Sequence, residues 1–154
     1  KAMISPKLLS AHAIALAVAL LASAATFCAQ AAEPATPMVL RSVMDQLGRD
    51  MQAVTGAISR EDWTLVTRLA PDIARHPEPP LSEKMRIITW LGTDAGKFRG
   101  FDGEVHDAAI AMGEAATRGD GQAVIAAFAK LQQGCLACHQ TFRKPFTEHF
   151  YGTR

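Results

Sequence analysis

The residues best suited to chemistry stand together near the end of the chain, as Cys135-Leu136-Ala137-Cys138-His139. Two thiols three positions apart on a helix lie on one side of it, and an imidazole follows the second thiol directly. That spacing lets both thiols add to the two vinyl groups of one porphyrin while the imidazole reaches the iron from the proximal face. It is the pattern of c-type haem attachment. A structural zinc site would want four ligands, usually from two such pairs, yet only His149 follows and no second cysteine pair exists. A thioredoxin-like redox pair would sit beside a βαβ pattern, which is missing. Against a plain disulfide stand the adjacent histidine, an export signal at the start of the chain and the position of both thiols on an apolar seam.

That seam belongs to the last of four amphipathic stretches. Val124, Phe128, Leu131, Cys135, Cys138 and Phe142 recur in steps of four and three, the spacing of helices packed nearly parallel. The first stretch, from about Met38 to Ser59, carries Leu40, Met44, Leu47, Met51, Val54 and Ile58 in the same steps. Ser59 with Asp62 resembles a capping box opening the second, whose inner side holds Trp63, Val66, Leu69, Ala70 and Ile73. Pro71 should kink or divide that stretch, because it lacks an N–H and crowds the preceding turn.

His76-Pro77-Glu78-Pro79-Pro80 reads as a loop, and Ser82 to Gly92 as a short amphipathic piece of one or two turns. Asp94 to Arg118 then repeats the three-four step at Phe98, Phe101, Val105, Ala108, Met112 and Ala115. Its glycines, Gly96, Gly100, Gly103 and Gly113, either weaken the helix or allow close approach to a neighbour or cofactor. Gly119-Asp120-Gly121 makes the last turn. No strand-like alternation occurs, so the expected fold is all-α: an antiparallel four-helix bundle over residues 33–154, with one haem c on the C-terminal helix.

Residues 1–32 read as a cleaved signal peptide. Lys1 and Lys7 supply the positive start, Ala11 to Phe27 the apolar run, and Ala29-Gln30-Ala31 the small-residue cleavage pattern. The run is slightly short for a membrane span of about 20 residues. Cleavage removes Cys28 and leaves Cys135 and Cys138 as the only cysteines. The expected mature chain carries 14 Lys and Arg against 15 Asp and Glu, about neutral, which suggests neither nucleic-acid binding nor a polybasic membrane role. The expected location is the periplasm.

A bundle bearing this motif near its end resembles the cytochrome c′ family. The likeness is strongest from Cys135 to Arg143 and in the first helix, and weakest across Pro71 to Gly92. In that family a first-helix residue lies over the distal haem face. An apolar residue there leaves the iron five-coordinate, whereas methionine closes it. The stretch Val43-Met44-Asp45-Gln46-Leu47-Gly48-Arg49-Asp50-Met51 resembles the methionine-ligated, low-spin branch, with Met44 four residues before a Gly-Arg pair and seven before a second methionine.

The resemblance therefore implies Met44 as an iron ligand opposite His139; read from its spacing alone, Met44 is a core methionine filling space. Arg143, four after His139, and Arg41, three before Met44, are candidate partners of the haem propionates; Arg143 reads equally as a solvated arginine near a helix C-terminus. His106 reads as surface or interhelical packing.

The implied function is single-electron transfer between periplasmic or membrane redox proteins, without enzymatic activity, by a monomer or homodimer not embedded in the membrane. The alternative is a five-coordinate haem protein that binds nitric oxide or carbon monoxide.

Overall fold

The computed structural model describes residues 37–152. The chain divides into two units, residues 1–35 and Thr36–Arg154, and every described residue belongs to the second. The expected signal segment lies outside the described residues. Among those residues every regular element is helical, and the architecture is a four-helix bundle.

Helices α1 (Val39–Ser59) and α2 (Trp63–Ala74) form one hairpin through a three-residue turn. After the proline loop comes the short α3 (Leu81–Leu91), then a 3-10 turn at Gly92–Asp94. Helices α4 (Ala95–Thr117) and α5 (Gly121–Cys138) form the second hairpin. The chain stays helical beyond Cys138, through a wide π turn at His139–Arg143 and into α6 (Lys144–Tyr151).

Aspartates start the second helix of each hairpin. Asp62 accepts a hydrogen bond from the N–H of Leu65 at 3.0 Å, and Asp120 from that of Ala123 at 3.0 Å. Each satisfies one of the donors that a helix start leaves unpaired. Asp62 is thus itself the cap, and the capping box expected from Ser59 does not form. Ser59 ends α1 instead, its hydroxyl donating to the Thr55 carbonyl.

Pro71 does not divide α2, which runs on to Ala74. The lost hydrogen bond and ring clash cost about 3 kcal/mol. Burying Ile73 alone returns roughly 1.5–3 kcal/mol, and Ala70 and Ala74 are buried with it. Packing of that turn against α4 outweighs the proline. The imidazole of His106 on α4 finishes the helix, its Nδ1–H donating to the Ala74 carbonyl at 2.8 Å.

The interior has two parts. An aliphatic core of Val54, Ala57, Val66, Ile73, Ala109, Met112, Val124 and Leu131 joins the two hairpins. A second cluster, built on Met38, Ile87, Leu91 and Phe142, gathers Trp90, Phe98, Phe101, Phe146, Phe150 and Tyr151 around it. Of the glycines on α4, only Gly113 makes a close approach, since a Cβ there would lie 2.9 Å from that of Ala70; Gly96, Gly100 and Gly103 face open space. The tightest approach bearing on the motif is at Gly134, where a Cβ would stand 2.9 Å from Cγ2 of Val105.

Replacing Gly134 by alanine is therefore expected to lower stability by about 1–3 kcal/mol. Val105→Ala in the same chain should recover part of that loss, as chemical denaturation of the single and double variants would reveal.

A pH-dependent tether joins the proline loop to α4. His76 Nε2 lies 3.1 Å from Asp102 Oδ1, and its Nδ1 lies 3.3 Å from the Pro77 carbonyl. Both partners accept, so only the protonated ring donates to both. The bond to Asp102 raises the His76 pKa and lowers that of Asp102. The histidine contribution is complete below its ordinary pKa and is lost as pH rises through the raised one. The aspartate contribution is complete above its ordinary pKa and is lost as pH falls through the lowered one. Both act between about pH 4 and 6.5. Asp102→Asn should accordingly destabilise the protein more at about pH 5.5 than at about pH 9; equal losses in urea at the two values would refute the tether.

Candidate functional site

Next to the aromatic cluster a cleft of about 770 Å³ opens between α1, α4 and the C-terminal helix. Its walls include Arg41, Met44, Cys138, His139 and Arg143, five of the six residues singled out from sequence. Phe98, Phe142, Phe146 and Tyr151 supply aromatic surface. The volume falls within the range of cofactor pockets, and so does a mostly apolar wall carrying a few placed polar groups.

Cys135, the sixth, does not line the cleft. Three residues advance a helix by about 300°, so the two thiols point about 60° apart. Cys135 packs against the aliphatic core and Cys138 against the aromatic cluster. Both thiols are free and half-buried. Burial raises the pKa of each. For Cys138, Cys135 and Asp102 add to the effect, and its thiol is pushed up to about 11. Near neutral pH both sulfurs are thiols.

His139 is exposed within the cleft. Partial burial lowers its pKa, and the nearby Arg143 guanidinium lowers it further. Both effects favour the neutral imidazole, the form that coordinates a metal. His139 also opens the π turn, whose i→i+5 hydrogen bonds take one extra residue into the helix. Pro145 accounts for that turn, because its ring would clash with the Thr141 carbonyl in a continuous α-helix and it has no N–H to donate there. An extra residue rotates the rest of the helix by about 100°, and Phe146, Phe150 and Tyr151 join the aromatic cluster.

The first helix departs from the expected seam. Val43, which is not on that seam, is buried at 4 % exposure, while Met44 is 37 % exposed and lines the cleft. The core position in this turn belongs to Val43. Arg41 and Arg143 also face the cleft, and among the described residues neither has an ion-pair partner.

These donors fit a covalently held haem. Cys135 and Cys138 would carry the thioethers, and His139 would supply a neutral imidazole. The aromatic side chains would face the macrocycle, and two unpaired guanidiniums are available for two propionates.

Sequence reading missed two contributors. One is Pro145, whose position six residues after His139 was the available signal. The other is Glu83, whose side chain is the sole buried charged group among the described residues, at 9 % exposure. Its carboxylate accepts from the N–H groups of Val39 and Leu40, at 2.8 and 2.7 Å. Glu83 lies 44 positions from Val39 in the chain, and no local pattern signals such a pair.

No curated protein matches the chain. The family model described as Cytochrome C′ matches residues 90–143, which span the 3-10 turn, α4, α5 and the motif and exclude α1 with Arg41 and Met44. Over these residues the chain is similar to the cytochrome c′ family.

Proposed function

We propose that the protein is a periplasmic one-electron carrier whose haem, bound through Cys135 and Cys138, takes His139 and Met44 as axial ligands. The observation that carries this reading is the placement of Met44. Val43 fills the core, so Met44 has no packing duty and presents a soft thioether to the cleft that also holds His139. When bound, the haem supplies an iron centre that exchanges single electrons, and a thioether ligand raises its potential.

The chain's own contribution is to hold and insulate. Phe98, Phe142 and Phe146 line the cleft and would shield a bound group from water and lower the dielectric around it. Arg41 and Arg143 would neutralise carboxylates at the edge and keep the group oriented. A periplasmic or membrane redox protein would meet the exposed edge through a small, transient interface. No helix among the described residues is long and apolar enough to cross a membrane.

Absorption spectra of the haem-loaded protein, oxidised and reduced, test the ligands. Sharp low-spin bands, a sulfur–iron charge-transfer band in the far red and indifference to carbon monoxide are expected. Met44→Ala should convert the iron to high spin and strengthen carbon monoxide binding by about tenfold or more, as expected when a competing ligand is removed. A parent protein with broad high-spin bands and ready carbon monoxide binding would refute the carrier and favour the gas-binding reading.

Removing the positive charge of Arg143 as leucine should lower the reduction potential by about 30–60 mV, half to one decade for a one-electron couple. A spectroelectrochemical titration would detect it.

A further inference from the structure

Packing along α1 is uneven. Its C-terminal half is held by Val54 and Ala57, both fully buried, whereas from Val39 to Gln46 only Val43 is buried. Arg41, Ser42, Met44, Asp45 and Gln46 are exposed. Side-chain burial alone therefore fixes the cleft end of this helix weakly. The start of α1 also has no cap of its own: Met38 offers no side-chain acceptor, and the first turn contains no acidic residue.

Three backbone donors at this start are satisfied from far along the chain. Both carboxylate oxygens of Glu83, in the first turn of α3, take the N–H groups of Val39 and Leu40. The hydroxyl of Tyr151 takes that of Met38 at 3.1 Å. Met38 itself is buried against Ile87, Leu91 and Phe142. A buried carboxylate is unfavourable unless its oxygens are bonded. Here both are bonded, at the end of a helix whose dipole favours negative charge.

We propose that Glu83 is the positioning residue for Met44, acting as a remote N-cap that sets where the first turns of α1 lie beside the cleft. This deepens the proposed function and rests on Met44 being the distal iron ligand. Met44 follows the two bonded amides by four and five residues, about 6–7.5 Å along the axis. A shift of the helix start is therefore passed to the thioether with little attenuation. The neighbouring C-terminal half of α1 stays fixed by its own packing. Losing the cap would release the ligand end without unfolding the bundle.

The test uses the full, haem-loaded protein and its Glu83→Ala, Glu83→Gln and Tyr151→Phe variants. In Glu83→Ala, amide exchange at Val39 and Leu40 should speed at least tenfold, while exchange at Val54 and Met112 should be unchanged. The sulfur–iron band should weaken and carbon monoxide binding should rise at least tenfold. Glu83→Gln, which keeps one acceptor oxygen, should fall between parent and alanine variant. Tyr151→Phe should move the same readouts less.

If the alanine variant does not fold, Glu83→Gln decides by the same band and the same amides. Faster exchange at Val39 and Leu40 with an unaltered sulfur–iron band would overturn the role of Glu83 in ligation and leave it a stabilising cap. A parent protein without the band would overturn Met44 as ligand, and the proposal with it.

Discussion

The bundle depends on how closely its second hairpin can close. Gly134 immediately precedes the first motif cysteine and faces Val105 across the α4–α5 interface, where a Cβ would already clash. The residues buried on these two helices are mostly small: Ala108, Ala109, Ala115, Ala116 and Ala127. Small side chains let helix axes approach and leave little room for error, because each displaced methylene is felt in a close-packed interior. That closeness fixes α5, and α5 carries both thiols to the border between the two cores. With Cys135 against one core and Cys138 against the other, the cysteine motif has rigid support on both sides. The cleft can then be left open, since the walls do not need to collapse to become stable.

Much of this arrangement was legible in the chain, for reasons that are local. The four-three periodicity around Val124, Leu131 and Phe142 places those residues in the interior, as it does for Val54 and Met112. The same rule fails at Val43 and Met44. Two adjacent apolar residues compete for one inward position, and periodicity cannot say which faces a cleft. The structure gives the position to Val43. Pro71 shows a second limit: a local penalty of known size yields to burial that only the tertiary neighbours determine.

Glu83 shows the third limit. In sequence it is an ordinary acidic residue in the first turn of a helix, where its charge suits its own dipole. Its side chain instead serves the start of another helix. The signal at Pro145 was present but easily passed over, because a proline near a helix end is common. Its consequence becomes visible only when the helix continues beyond it. The His76–Asp102 pair belongs with Glu83, since 26 residues and a proline loop separate its members.

The two ends of the bundle are assembled differently, and this bears on the order in which the chain folds. At the end away from the cleft, three-residue turns at Arg60–Asp62 and Arg118–Asp120 join neighbouring helices, and both turns are capped within four residues. At the cleft end, the contacts that place α1 span 43, 44 and 113 residues. Loop closure grows more demanding with separation, and contacts between distant residues are rewarded only after that entropy is spent. The hairpins therefore have the low contact order of fast helical folding, while the cleft is the high-contact-order part of the same domain. A nascent chain would hold Cys135 and Cys138 on a formed helix before its first and last segments meet around them, leaving both thiols accessible during that interval.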